Sequence, residues 1–188
     1  MDTINLAKNI RSHVLKMTSK GKSSHVGSAL SIADILAVLY TNMNVDPKDP
    51  SNPKRDRFIL SKGHAGAAVY AVLAELDFFS KEILDTHYQD GSILSGHVSH
   101  KGVPGVEFST GSLGHGLPVS VGKALKFKTN NENNKVYVLM SDGELNEGTT
   151  WESLLFANHH KLDNLNIIID YNKIQSMDFI SKVMKIEP

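Results

Sequence analysis

The sequence predicts an α/β fold, a parallel sheet flanked by helices, on three observations. Val136–Met140 and Leu165–Asp170 are apolar, β-branched runs of strand length, and Asn146–Lys161 between them carries a helical pattern. Parallel strands need a crossover connection, so strand, helix, strand is the unit of a parallel sheet. Such crossovers are right-handed, which puts both strand ends on one edge, where open α/β sheets bind ligands. The 188 residues predict a single domain over 1–188. A 40% hydrophobic and 21% charged composition excludes disorder and collagen-like structure. Twenty Lys+Arg balance twenty Asp+Glu, so no basic excess points to nucleic acid or an anionic membrane. With no cysteine, a disulfide framework, a thiolate zinc site and an Fe–S cluster are all excluded. The N-terminus has no signal-peptide core, and the longest apolar stretch, Ala65–Ala74, is too short to span a bilayer. The expected location is cytoplasmic, with no membrane or nucleic-acid partner.

Along the chain, Ile4, Ala7, Ile10, Val14 and Met17 predict an amphipathic helix ended by Gly21. A second helix is expected over 28–42, capped by Ser28 or Ser31 and largely buried. Pro47, Pro50 and Pro53 mark a connector, and Phe58–Leu60 a short strand. A small-residue helix follows over 65–76, then a helix capped by Ser80 and running to about 87. Residues 88–111 form a long Gly- and Ser-rich loop, a length that is usually functional, and Leu113–Phe127 reads as helix.

The two strong strands end in Ser141-Asp142-Gly143 and Asp170-Tyr171-Asn172-Lys173-Ile174. Asp142 and Asn172 lie 30 positions apart, about one βαβ step, and both can face one crevice. A carboxylate, an amide oxygen and a backbone carbonyl are hard ligands suited to Mg²⁺ or Ca²⁺. Gly143 lets a phosphate approach the backbone, and the helix expected from 146 offers free N–H groups. Asp-Gly and Asn are also ordinary turn residues at strand ends. Spacing, second strand and the Asn-x-Ile segment together favour a diphosphate held through a divalent metal.

Ser141-Asp-Gly-Glu-Leu-Asn-Glu-Gly148 followed by Asp170-Tyr-Asn-Lys-Ile174 resembles the thiamine-diphosphate motif of transketolases. Four more segments match in order: Ser24-His-Val-Gly27, Leu60-Ser-Lys-Gly-His-Ala65, Gly96-His97, and Pro104-Gly-Val-Glu with Ser109-Thr-Gly-Ser-Leu-Gly114. The resemblance runs from about residue 8 to the C-terminus. It implies the thiamine-diphosphate-binding fold, with Asp142, Asn172 and the Ile174 carbonyl as metal ligands. It places the Gly143 backbone and His64 on the diphosphate. The Leu113 carbonyl would accept from the aminopyrimidine, and Glu147 would lie at a subunit interface near the cofactor. Glu147 reads equally well as a first-turn carboxylate facing the helix dipole. His25 and His97 align with histidines that bind substrate hydroxyls or relay protons, which histidine does near neutral pH.

The remaining histidines carry no such assignment. His159 and His160 read as structural, and His13 and His87 as solvated helix positions. The roles of His100 and His115 stay open. Trp151 and Phe156 read as packing. Ser141 replaces the first glycine of the usual Gly-Asp-Gly, which a serine tolerates only at negative φ. Val98 stands where the family has proline after His97.

The resemblance further implies a transferase of carbohydrate metabolism, in the pentose phosphate pathway, moving a two-carbon ketol unit between sugar phosphates. Its cofactors are thiamine diphosphate and Mg²⁺, with Ca²⁺ as an alternative. Nothing resembling the family's pyrimidine-binding domain is present, so a partner chain supplying it is expected, in a homo- or hetero-oligomer. The diphosphate-binding domain is expected to be incomplete at its C-terminus, as a split subunit, a truncated product or a fragment. A deoxyxylulose-phosphate-synthase-like enzyme and a non-catalytic thiamine-diphosphate-binding module are the alternatives.

Overall fold

In a computed structural model, residues 2–176 and 178–186 are described. The chain divides into two compact units, Met1–Asp56 with Gly63–Gly111, and Arg57–Lys62 with Ser112–Pro188.

The first unit is helical. Helix α1 (Thr3–Gly21) starts where Asp2 accepts the Ile4 N–H at 2.9 Å and buries Leu6, Ala7, Ile10, Val14 and Met17. Ile4 is exposed, because the buried stripe begins two positions later. Lys22, not Gly21, takes the left-handed terminal conformation, with φ 49°. The segment expected as one helix is two, α2 (Val26–Ser31) and α3 (Ala33–Asn42), separated at Ile32. Neither Ser28 nor Ser31 caps; those positions fall to His25 and Ile32. After the 3-10 turn Gly63–Ala65 comes α4 (Gly66–Glu75), whose small residues are buried all round its circumference. Helix α1 packs on α3 and α4. Glu75 fastens that packing, accepting from Asn9 at 2.9 Å and meeting His13 at 2.8 Å and Lys81 at 2.7 Å. Lys81–Thr86 is a 3-10 helix rather than the α-helix expected there.

The second unit holds the parallel sheet. Strands β1 (Arg57–Leu60), β2 (Val136–Ser141) and β3 (Leu165–Asp170) pair in that order, all parallel. Helix α5 (Gly116–Thr129) and helix α6 (Gly148–His159) flank it. Ile59, Leu117, Val121, Val138 and Met140 form the core between sheet and helices. A short α7 (Ile180–Val183) follows the bridge Ile174–Phe179. Among the described residues no helix is long and apolar enough to cross a membrane.

Candidate active site

The carboxyl ends of the strands bring together the candidate residues of the second unit. Ser141 pairs with Asp170 in register, so the next residues leave the sheet side by side. Asp142 is 1% exposed; its Oδ1 accepts the Gly143 N–H at 2.8 Å and its Oδ2 the Lys173 N–H at 2.9 Å. That second bond draws the loop after β3 onto the carboxylate. Lys173 turns the loop with φ 66°, and Asn172 Oδ1 accepts the Ile174 N–H at 3.0 Å. The structure thus brings together Asp142, Asn172 and the Ile174 segment, as the spacing predicts.

The donor set fits a metal-bound diphosphate. Each Asp142 oxygen keeps a lone pair beyond its backbone bond, and Asn172 offers an amide oxygen. Among the described residues no group of three His, Cys, Asp or Glu side chains could hold a metal. With one carboxylate, a cation here would need carbonyl and phosphate oxygens, the shell Mg²⁺ adopts. A Cβ on Gly143 would have Gln175 as nearest neighbour, at 3.7 Å, so the turn is open beside the backbone.

Ser141 has φ −89°, which removes the objection to serine in place of glycine. It caps the 3-10 helix Asp142–Asn146, and Glu144 answers by accepting the Ser141 N–H at 2.9 Å. Extended Glu147 ends this turn, so α6 begins at Gly148 rather than Asn146. Its free N–H groups therefore begin two residues later in the chain than expected.

Gly114 adopts φ 78°, and a Cβ there would lie 2.6 Å from Thr149 Oγ1 and 2.8 Å from Glu147 Cβ. Leu113 before it is half-buried, its carbonyl 3.0 Å from Nδ1 of exposed His115. Glu147 is exposed beside Gly114, with no side-chain cap bond to α6.

The first unit gathers three histidines. The His25 ring centroid is 5.1 Å from His64 and 5.6 Å from His97, and His64 and His97 are 6.5 Å apart. His25 reaches this place with φ 68°, before α2. Gly63 lets the long loop close in: its carbonyl accepts the Val98 N–H at 2.8 Å, and a Cβ would lie 2.2 Å from the Thr110 carbonyl oxygen. Tyr70 donates to the His97 carbonyl at 3.0 Å and accepts from the Ser99 N–H at 2.9 Å. His25 stays exposed overall; partial desolvation of its imidazole first, then the neighbouring His97, holds it below the usual histidine range. A neutral ring both donates and accepts, as hydroxyl binding and proton relay require.

Other expectations change. His87 is buried against Tyr70 and Tyr88 rather than solvated, since the chain there turns inward after the 3-10 helix. His13 is tied to Glu75. Trp151 and Phe156 are exposed rather than packed. His159 ends α6 with its ring centroid 5.0 Å from that of His160, and both are exposed. His100 meets Ser109 Oγ at 2.7 Å on the surface. A cavity of about 250 Å³ lined by His13, Met17, Lys81 and Leu84 contains none of the candidate residues.

Two buried residues escaped the sequence reading. Lys62 Nζ lies 2.6 Å from Asp170 Oδ2. Glu144 is fully buried. The spacing Ser141-x-x-Glu144 is a capping-box signal that could have found the second.

Residues 3–185 match the family model described as "Transketolase, thiamine diphosphate binding domain". The chain belongs to the transketolase family. It is 44% identical to one of the named subunits of apulose-4-phosphate transketolase from Phocaeicola vulgatus, over 94% of this chain and 63% of that protein. It is 40% identical to 6-deoxy-6-sulfo-D-fructose transketolase subunit SqwG of a Clostridium species, over 100% of this chain and 69% of that protein. The chain thus spans about two thirds of the length of these transketolase relatives. Among solved structures, transketolase of Leishmania mexicana superposes with a TM-score of 0.89 at 34% identity, covering 98% of this chain and 29% of that one. The parallel sheet flanked by helices is the fold of these transketolase domains, as the strand pattern predicts.

Proposed function

We propose that this chain is the diphosphate-binding subunit of a two-subunit transketolase that transfers a two-carbon ketol unit between sugars. The observation that carries the reading is the Lys173 N–H bond to Asp142, which joins two neighbouring strand ends into one oxygen-rich turn. In this reading Asp142, Asn172 and the Ile174 carbonyl hold Mg²⁺, while the Gly143 backbone and His64 meet the diphosphate. The Leu113 carbonyl orients the aminopyrimidine, and Glu147 lies where a partner chain approaches. Thiamine diphosphate, when bound, supplies the carbon nucleophile that takes up the ketol unit. His25 and His97 hold substrate hydroxyls and move protons at those oxygens, a task suited to a neutral imidazole. The relatives' names, an apulose phosphate and a sulfo sugar, support a ketose with an anionic terminal group as donor. Their designation as subunits supports a partner chain carrying the pyrimidine-binding half.

The test is calorimetry of thiamine diphosphate with and without Mg²⁺, on the chain assembled with its partner subunit. Binding should require Mg²⁺ and be lost in Asp142→Ala, because one carboxylate dominates a small shell. Unchanged affinity in that variant overturns the metal assignment.

A further inference from the structure

We infer that Glu144 is a positioning residue whose carboxylate holds together the two turns bearing the proposed cofactor contacts of the second unit. The inference rests on the thiamine-diphosphate reading for what those turns do, but not for how they are held. Glu144 is fully buried, which glutamate rarely is without specific partners. Its partners come from three separate segments and all of them donate. Oε1 accepts the Gly114 N–H at 3.0 Å and also the Ser61 hydroxyl. Oε2 accepts the Ser141 N–H at 2.9 Å. Ser61 Oγ accepts the Gly116 N–H at 3.1 Å and donates its own proton to Glu144.

A capping box alone would need only the Ser141 bond. The other oxygen reaches residues 30 and 83 positions away in sequence. What stands on these anchors gives the arrangement its meaning. Leu113, the proposed aminopyrimidine acceptor, directly precedes Gly114. Asp142 and Gly143, the proposed metal and diphosphate residues, directly follow Ser141. Glu144 touches neither group; it fixes the backbones that do. Lys62, the buried cation of the same unit, points to Asp170.

The requirement is for two accepting oxygens rather than for a shape. Glutamine has the same size, yet its amide NH₂ would face Gly114 N–H and Ser61 O–H in one orientation, or Ser141 N–H in the other. Either leaves a buried donor facing a donor.

The experiment is amide hydrogen exchange by NMR on the full chain assembled with its partner subunit but without cofactor, paired with calorimetry of thiamine diphosphate and Mg²⁺ on the same assembly. In Glu144→Gln, exchange at Gly114 and Ser141 should accelerate about tenfold or more while Val138 and Met140 in β2 hold their protection. Cofactor affinity should weaken by a similar factor. Ser61→Ala, the milder variant, decides the matter if the glutamine variant does not fold. It should free Gly116 and loosen Gly114 while Ser141, held by the other oxygen, stays protected. Unchanged exchange at Gly114 in either variant overturns the inference. So does loosened exchange with unchanged cofactor affinity, which would make Glu144 purely structural. If the wild-type assembly binds no thiamine diphosphate, the functional reading falls, and the exchange pattern still decides whether Glu144 holds both turns.

Discussion

At His25 the ring is held below the usual histidine range by partial desolvation and, secondarily, by His97. In NMR titration His25 should therefore show a midpoint below that of a histidine in an unstructured peptide. His97→Ala should raise it only in part, since desolvation, the larger cause, remains. The sign for stability follows by linkage. A folded state that resists protonation loses stability as pH falls below about 6.5, and the effect vanishes above that value. The effect on Tm is small, because the ring is largely open to solvent, so the NMR midpoint is the measurement that checks the direction. In the assembled enzyme His97→Ala should lower ketol transfer while leaving cofactor affinity intact, because the proposed role is toward substrate. Lys62 makes a different prediction. It is the buried cation facing Asp170, and removing one member of such a pair costs about 3–5 kcal/mol. Thermal unfolding of Lys62→Ala should show a loss of that order. The sequence displayed Lys62 inside a matching motif without telling what it faces, because the partner lies 108 positions away.

Among the elements, those governed by a repeating pattern were legible and those governed by a single backbone choice were not. Strands β2 and β3 stood out as apolar runs, and the register Ser141–Asp170 places Asp142 and the Asn172 loop together as the spacing implied. The break at Ile32 was invisible, because apolar residues on both sides continue one helical rhythm. The start of α6 was misplaced for a related reason: the Ser141 and Glu144 exchange closes its own short turn, and Glu147 is extended. His97 was readable as a candidate, but its meeting with His25 and His64 depends on a loop closing over Gly63, which no periodicity encodes. Gly114 is the turn where this can be tested. It combines φ 78° with side-chain atoms 2.6 and 2.8 Å from where a Cβ would stand. Gly114→Ala incurs both backbone strain and overpacking, each about 1–3 kcal/mol. Tm should fall clearly and cofactor affinity with it, since Leu113 precedes the displaced turn. Retention of both would mean that the turn tolerates another conformation.

For the molecule as a whole, the second unit leaves apolar groups facing water. On α6, Trp151 is 54% and Leu155 73% exposed, one turn apart on the same side of the helix. On β3, an outer strand of the three, Ile169 is 38% exposed. Apolar side chains that adjoin on one helix face give association a foothold, and outer strands invite pairing. The proposed chemistry asks for the same thing, because a cofactor held on one side keeps its reactive ring in water, where orientation and electrostatic stabilisation are weak. The purified chain is therefore expected to associate, and ketol transfer to need the pyrimidine-binding partner. The measurement is solution mass by light scattering, with an assay of the chain alone and with the partner added, in thiamine diphosphate, Mg²⁺ and a phosphorylated ketose. The expected result is an oligomer or poorly soluble chain without turnover, and turnover on addition of the partner. Leu155→Lys should shift the chain alone toward monomer, since a charge at that exposed position opposes apolar contact while leaving the core of the unit intact. A soluble monomer that turns over substrate unaided would refute the two-subunit reading, because the residues of this chain would then suffice to shield and orient the reacting carbon.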